Sequence, residues 1–256
     1  MARSPQGIPP VREDGRQATA GSNRQRRRWD YRAPSWDHEG AAGLEAVIAT
    51  VLALAQVRPG TVVVDLGAGT GSLSIPLAQQ GADVTAVDIS PAMLERLAEK
   101  AARAGLDRVT CVAAQVENFD LPPMSVDLVV SNYALHHLRD ADKEALVRAV
   151  ARWLRPGGQL IVADMMFGRG VTARDRAIIG SKVTLLARRG PAGWWRLAKN
   201  IVRFGLRIRE RPVTMETWES YFYGAGFTDL CVIPVVSEAA VVAGSKPAEG
   251  APASPS

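Results

Sequence analysis

Apolar and polar positions along this chain switch repeatedly between a helical and an alternating or continuous period. From Leu44 to Ala55 apolar residues recur at helical spacing, and the run stops before Arg58-Pro59-Gly60. Thr61–Asp65 is then a short β-branched run, followed by a Gly-rich turn and a helical stretch from Leu73 to Gln80. Val84–Val87, Val109–Ala113, Val126–Ser131 and Gln159–Ala163 read as further strands. Helices are expected at Pro91–Ala104, with Pro91 in its first turn, and at Lys143–Leu154, which ends at Arg155-Pro156-Gly157-Gly158. Glu216–Ala225 reads as a last helix, with Phe227–Val236 and Ala239–Ala243 as a closing hairpin.

Strands separated by helices of this length predict an α/β fold, a doubly wound, Rossmann-like sheet. Seven strands are expected, mostly parallel with an antiparallel last strand, and a helical insertion after strand five. Residues 1–28 are rich in Pro, Gly, Gln and Arg and read as a disordered basic tail. The domain is expected over 29–244, and 245–256 as a second disordered tail.

Charge changes this picture. Residues 1–32 carry eight Arg against three acids, and 169–211 carry twelve Lys or Arg against two. The remainder holds eleven basic against twenty-one acidic residues, so an acidic body bears two basic segments. Within the second, a helix over Trp194–Arg207 would put Arg196, Lys199, Arg203 and Arg207 on one stripe. That pattern suits peripheral membrane contact through 169–211, and equally a helical cap over a substrate site. No apolar run is long enough for a spanning helix, and the Arg-rich start lacks a signal-peptide core, so a cytoplasmic protein, with or without membrane association, is expected. Cys111 and Cys231 sit in apolar runs without ligand-like spacing and read as buried small hydrophobes; no metal site is expected.

The chemistry concentrates in Val62-Val-Val-Asp65-Leu-Gly67-Ala68-Gly69-Thr-Gly71. Alternate glycines after a buried strand let the backbone turn tightly and approach a ligand. A second acid, Asp88, ends the next strand and suits a ribose. A nicotinamide dinucleotide site, and with it an NAD(P)-dependent oxidoreductase, is disfavoured, because Ser72 stands where that fingerprint needs its third glycine.

This segment resembles motif I of the class I S-adenosylmethionine-dependent methyltransferases. Val87-Asp88-Ile89-Ser90-Pro91-Ala92-Met93 is similar to their ribose motif, and Ala114-Gln115-Val116-Glu117 to the segment beside the adenine. Ser125–Leu138 and Leu154–Gly158 resemble the fourth-strand motif and the turn before the fifth strand. Trp29–Asp37 is similar to the aromatic lid of the ubiquinone/menaquinone C-methyltransferase-like branch. The resemblance implies S-adenosylmethionine as cofactor. Asp65 and the backbone of Gly67, Ala68, Gly69 and Gly71 would hold its methionine part, and Asp88 its ribose, with Ile89 and Met93 against the adenine. Gln115 and Val116 would read the adenine edge, and Asn132 would lie near the sulfonium. Gln115 replaces the family's usual Asp, though its amide oxygen still accepts a hydrogen bond.

Trp29, Tyr31 and Trp36 are candidates to close over the cofactor, and Asp164 to touch substrate. Tyr133, His136 and His137 are candidates for proton handling. The competing reading of the two histidines is structural, one buried and bonded, the other exposed; adjacent residues on a helix do not share a face for a metal. No Asn or Asp is followed by Pro-Pro-Tyr or Pro-Pro-Phe after the fourth strand, which argues against methylation of nucleic-acid bases. The expected acceptor is a small or lipophilic molecule, such as a quinone-like ring, a lipid or a secondary metabolite. The alternative is a non-catalytic or membrane-recruited module that binds S-adenosylmethionine.

Overall fold

The computed structural model describes residues 20–38, 43–167 and 211–248. Seven strands form one sheet in the order β3-β2-β1-β4-β5-β7-β6. They are β1 (Val62–Leu66), β2 (Asp83–Asp88), β3 (Val109–Ala113), β4 (Val126–Asn132), β5 (Leu154–Met165), β6 (Thr228–Pro234) and β7 (Ala239–Ser245). The pairs among β1 to β5 are parallel, and β7 runs antiparallel between β5 and β6. The order reverses between β1 and β4, so a crevice opens there at the carboxyl ends of the strands, where such sheets bind ligands.

Among the described residues the α-helices are α1 (Ala20–Arg32), α2 (Leu44–Ala55), α3 (Ser74–Gln79), α4 (Pro91–Arg103), α5 (Asp140–Trp153) and α6 (Met215–Gly224). α4 starts where Ser90 Oγ accepts the Met93 N–H at 3.2 Å and Pro91 supplies a preset φ. Its buried face is Met93, Leu94, Leu97 and Ala101. One face of the sheet packs Trp153, Trp218 and Phe222 from α5 and α6 against Leu66, Val129 and Leu160. The other packs Val47 and Val51 of α2 and Leu77 of α3 against Val63, Leu128 and Ile161. Each such aliphatic side chain, fully buried, stabilises by about 1.5–3 kcal/mol relative to exposure.

The expected sheet is present, with four differences. First, residues 20–28, read as part of a disordered tail, belong to α1. Arginine is a good helix former, and the segment docks because Ser90 Oγ donates to Asp30 Oδ1 at 2.6 Å. Second, β5 starts at Leu154, so Arg155–Gly158 lies inside the strand as an irregularity in its pairing with β4. Third, order continues past residue 244. Lys246 exchanges backbone hydrogen bonds with Gly157 and Gly158, and its Nζ donates to Leu154 O at 2.7 Å. Fourth, Cys231 is exposed because β6 is an edge strand, whereas Cys111 is half-buried. The insertion expected over 169–211, with its membrane-surface stripe, lies outside the described residues except for Arg211. No helix among the described residues is long and apolar enough to cross a membrane.

Candidate active site

The carboxyl ends of five adjacent strands bring the expected residues into one row: Gln115 after β3, Asp88 on β2, the glycine turn after β1, Asn132 on β4 and Asp164 on β5. Asp65 is 2% exposed and its Oδ2 accepts the Ser74 hydroxyl at 2.6 Å. Burial pushes its carboxyl up to about 7, because an ion there loses its water. Ser74, fully buried at the start of α3, is a partner that the sequence motif does not reveal.

Asp88 holds the turn from the other side. Its Oδ2 accepts the Gly69 N–H at 2.9 Å and its Oδ1 the Ser90 N–H at 2.8 Å. Burial raises this carboxyl as well, opposed by the two backbone donors. Each oxygen keeps a second lone pair for a ligand hydroxyl. Gly67 has φ +75°, and a Cβ there would run into the Ala134 methyl, so the β1 and β4 turns meet with no side chain between them. Gly71 faces away from this contact, and a Cβ on it would stand 2.9 Å from Leu97 Cγ of α4. Ile89, Gln115 and Val116 are half-buried, and Met93 is buried under α4.

The β4 end carries a different kind of group. Asn132 Oδ1 is buried and has no hydrogen-bond partner among the described residues, an orphaned acceptor of the sort that normally finds a donor. Tyr133 follows in a left-handed conformation, φ +51°. Burial first, then Glu238 and Asp164, push its phenol up to about 12, which keeps it protonated at any working pH. His136 is buried beside Asp164, itself 1% exposed. The His136 backbone N–H donates to Asp164 Oδ2 at 2.6 Å, and His136 Nδ1 lies 2.6 Å from Oδ1. Lys143 is fully buried, its Nζ donating to Leu138 O at 3.1 Å, Asp140 Oδ1 at 3.1 Å and Arg211 O at 2.6 Å. The Arg211 N–H in turn donates to His136 O at 2.6 Å. The sequence names His136 and Asp164 separately but does not pair them, and it passes over Lys143.

Aromatic rings close the circuit. His137, half-buried, meets His136 at 4.0 Å between centroids and Trp29 at 5.3 Å, tilted by 51° and 58°. Trp29 meets Trp36 edge-on at 5.3 Å. Trp36 Nε1 lies 4.0 Å from where a Gly69 Cβ would be. The Arg32 guanidinium sits 4.9 Å from the Trp36 ring and 5.4 Å from that of Trp29. Tyr31 is 87% exposed and takes no part in this cover. The rings of Trp29, Trp36 and His137 thus link the β4 turn to the glycine turn. Among the described residues no group of three His, Cys, Asp or Glu could hold a metal.

A Rossmann-like sheet whose switch point is lined by a glycine turn and two buried carboxylates defines a nucleotide-type ligand site. The family model described as "Methyltransferase domain" matches residues 63–158. An uncharacterized methyltransferase of Geobacillus thermodenitrificans is 30% identical over 187 residues, 73% of this chain and 76% of the relative. The chain therefore belongs to the class I S-adenosylmethionine-dependent methyltransferases. Solved structures share the fold. The S-adenosylmethionine-dependent methyltransferase SibL superposes with a TM-score of 0.56 at 24% identity, over 80% of this chain and 54% of that one. Phosphoethanolamine N-methyltransferase 2 of Haemonchus contortus, in complex with S-adenosyl-L-methionine, gives 0.61 at 16% identity, over 78% and 52%.

Proposed function

We propose that this chain transfers the methyl group of S-adenosylmethionine to a small or lipophilic acceptor: a quinone-like ring, a lipid or a secondary metabolite. The observation that carries the donor half is the row of groups at the strand ends, where Gly67 lets the β1 turn close on Ala134 and a buried acceptor on Asn132 lacks a donor among the described residues. Asp65 and the backbone of Gly67, Ala68 and Gly69 would hold the methionine part. Gly71 seats α4 beneath that turn. Asp88 would hold the ribose, Ile89 and Met93 the adenine face, and Gln115 and Val116 its edge, with Asn132 toward the sulfonium.

The cofactor, when bound, supplies a methyl carbon on a positively charged sulfur, already a strong electrophile. The protein's task is therefore alignment and exclusion of water. Trp29, Trp36 and His137 cover the space; Asp65 and Asp88 fix the turn from its two sides. The likeness of Trp29–Asp37 to the lid of the ubiquinone/menaquinone C-methyltransferase-like branch supports a planar, lipophilic acceptor. Of the proton-handling candidates, Tyr133 is held neutral, His137 packs between His136 and Trp29, and His136 has a buried carboxylate behind it.

Calorimetric titration with S-adenosylmethionine and S-adenosylhomocysteine, with NADH as control, tests the donor half. Micromolar binding of the first two, lost in Asp88→Ala, is expected. Binding of NADH alone would overturn the reading.

A further inference from the structure

A neutral hydroxyl is a poor nucleophile and must lose its proton as it attacks. A neutral amine attacks unaided and sheds its proton afterwards. A site built for an amine therefore needs no fixed base, and a site built for a hydroxyl gains from one. At the end of β4 the fold invests two short hydrogen bonds and a buried carboxylate in the orientation of one imidazole. The backbone N–H of His136 occupies Asp164 Oδ2, so the peptide is fixed; Nδ1 occupies Oδ1, so the ring is fixed as well. With its proton on Nδ1, directed at the carboxylate, the ring presents Nε2 as an acceptor. The bonds that hold His136 engage its backbone N–H, its C=O and Nδ1.

We propose that His136, oriented by Asp164, takes the proton of a phenolic or enolic hydroxyl, and that the product is a methyl ether. The inference rests on the donor site described above and names the acceptor of that same site. The acceptor's O–H bond breaks and its proton goes to Nε2. The oxygen's electron pair forms the bond to the methyl carbon, and the pair of the broken carbon–sulfur bond stays on sulfur. A phenol, with an ordinary pKa of about 10, lies within reach of an imidazole base, whose ordinary value is about 6.5; an aliphatic alcohol is far weaker as an acid. The rings of His137 and Trp29, in tilted contact at 5.3 Å between centroids, place aromatic surface beside His136. Asp164 touches no reacting atom and is a positioning residue. Among the described residues the titratable groups against the imidazole are Asp164 on β5 and His137 on its own turn, while the Arg211 N–H meets its backbone carbonyl.

The test uses the full chain saturated with S-adenosylhomocysteine and 4-nitrophenol as probe, read by the phenolate absorbance. Wild type should raise the phenolate fraction at pH values below the free probe's pKa, His136→Gln should not, and Asp164→Asn should do so weakly. No rise in wild type, or an equal rise in His136→Gln, would overturn the inference. In parallel, methyl-labelled S-adenosylmethionine is offered with a panel of phenols, enols and primary amines. Label on oxygen is expected, with kcat down about 10²-fold or more in His136→Gln, less so as pH rises, and KM little changed. Asp164→Asn should lose about 10²-fold through misalignment, again in kcat. Label on amines alone would sink it. Calorimetry separates the two readings, because intact donor binding with these outcomes removes the hydroxyl inference and leaves the methyltransferase site standing.

Discussion

The donor and acceptor sides of this crevice hold buried carboxylates in opposite ways. On the donor side, Asp65 and Asp88 bind a hydroxyl and backbone N–H groups from residues close by in the chain or in the next strand. On the acceptor side, Asp164 grips a histidine 28 residues away, and Lys143 reaches Arg211, 68 residues on. The donor side is built from partners within 19 residues of each carboxylate, whereas on the acceptor side His136 and Lys143 each depend on a partner 28 or 68 residues away.

The largest effect is expected where that dependence is deepest. Lys143→Ala leaves the carbonyls of Leu138 and Arg211 without their ammonium, at about 1–3 kcal/mol for each buried orphan. Urea unfolding should show that loss, and donor affinity by calorimetry should change little; a parallel collapse of donor binding would erase the distinction between the sides. Gly67→Ala is the counterpart. Its left-handed φ and the Ala134 methyl cost about 1–3 kcal/mol, and S-adenosylmethionine binding should disappear.

A smaller, continuous effect belongs to Asp65. The folded carboxyl titrates near 7 and an unfolded one near its ordinary 3.8, so the native state holds the proton more tightly. The stabilisation from this group is complete below pH 4 and is lost as pH rises toward 7 and just beyond. Binding of a cationic donor favours the ionised form, so affinity should rise across the same window with release of a proton. Calorimetry in buffers of different ionisation heat measures that release, and Asp65→Asn should flatten both trends. Smallest is Ser90→Ala, which removes the α4 cap and the tether to Asp30 for about 1 kcal/mol. Faster tryptic cleavage at Arg24–Arg28 is the expected sign.

The same contrast explains what could be read in the sequence. The donor turn lies within ten consecutive residues, and its glycines and strand-end acids announce their geometry. The sheet was legible because β-branched runs and helical spacings alternate. The pairing of His136 with Asp164 follows from the register of β4 and β5, in which Asn132 lies opposite Ala163, and no local pattern carries that information. The start of α1 was hidden for another reason: an arginine run looks like a solvated tail until Asp30 finds Ser90. Tyr31, expected beside Trp29 and Trp36, is instead exposed, because aromatic content alone does not say which face of a helix turns inward.

The antiparallel placement of β7 has a consequence for biosynthesis. Strands β1 to β4, with the whole donor turn, leave the ribosome as a contiguous stretch and can pair at once. β5 emerges with one edge open, and its partner there, Ala239–Ser245, is synthesised only after the long excursion and β6's own segment. Until then the strand that carries Asp164 presents bare N–H and C=O groups, the kind of edge on which nascent chains misassociate. The order of translation thus matures the two sides of the crevice at different times, the methyl-donor side first.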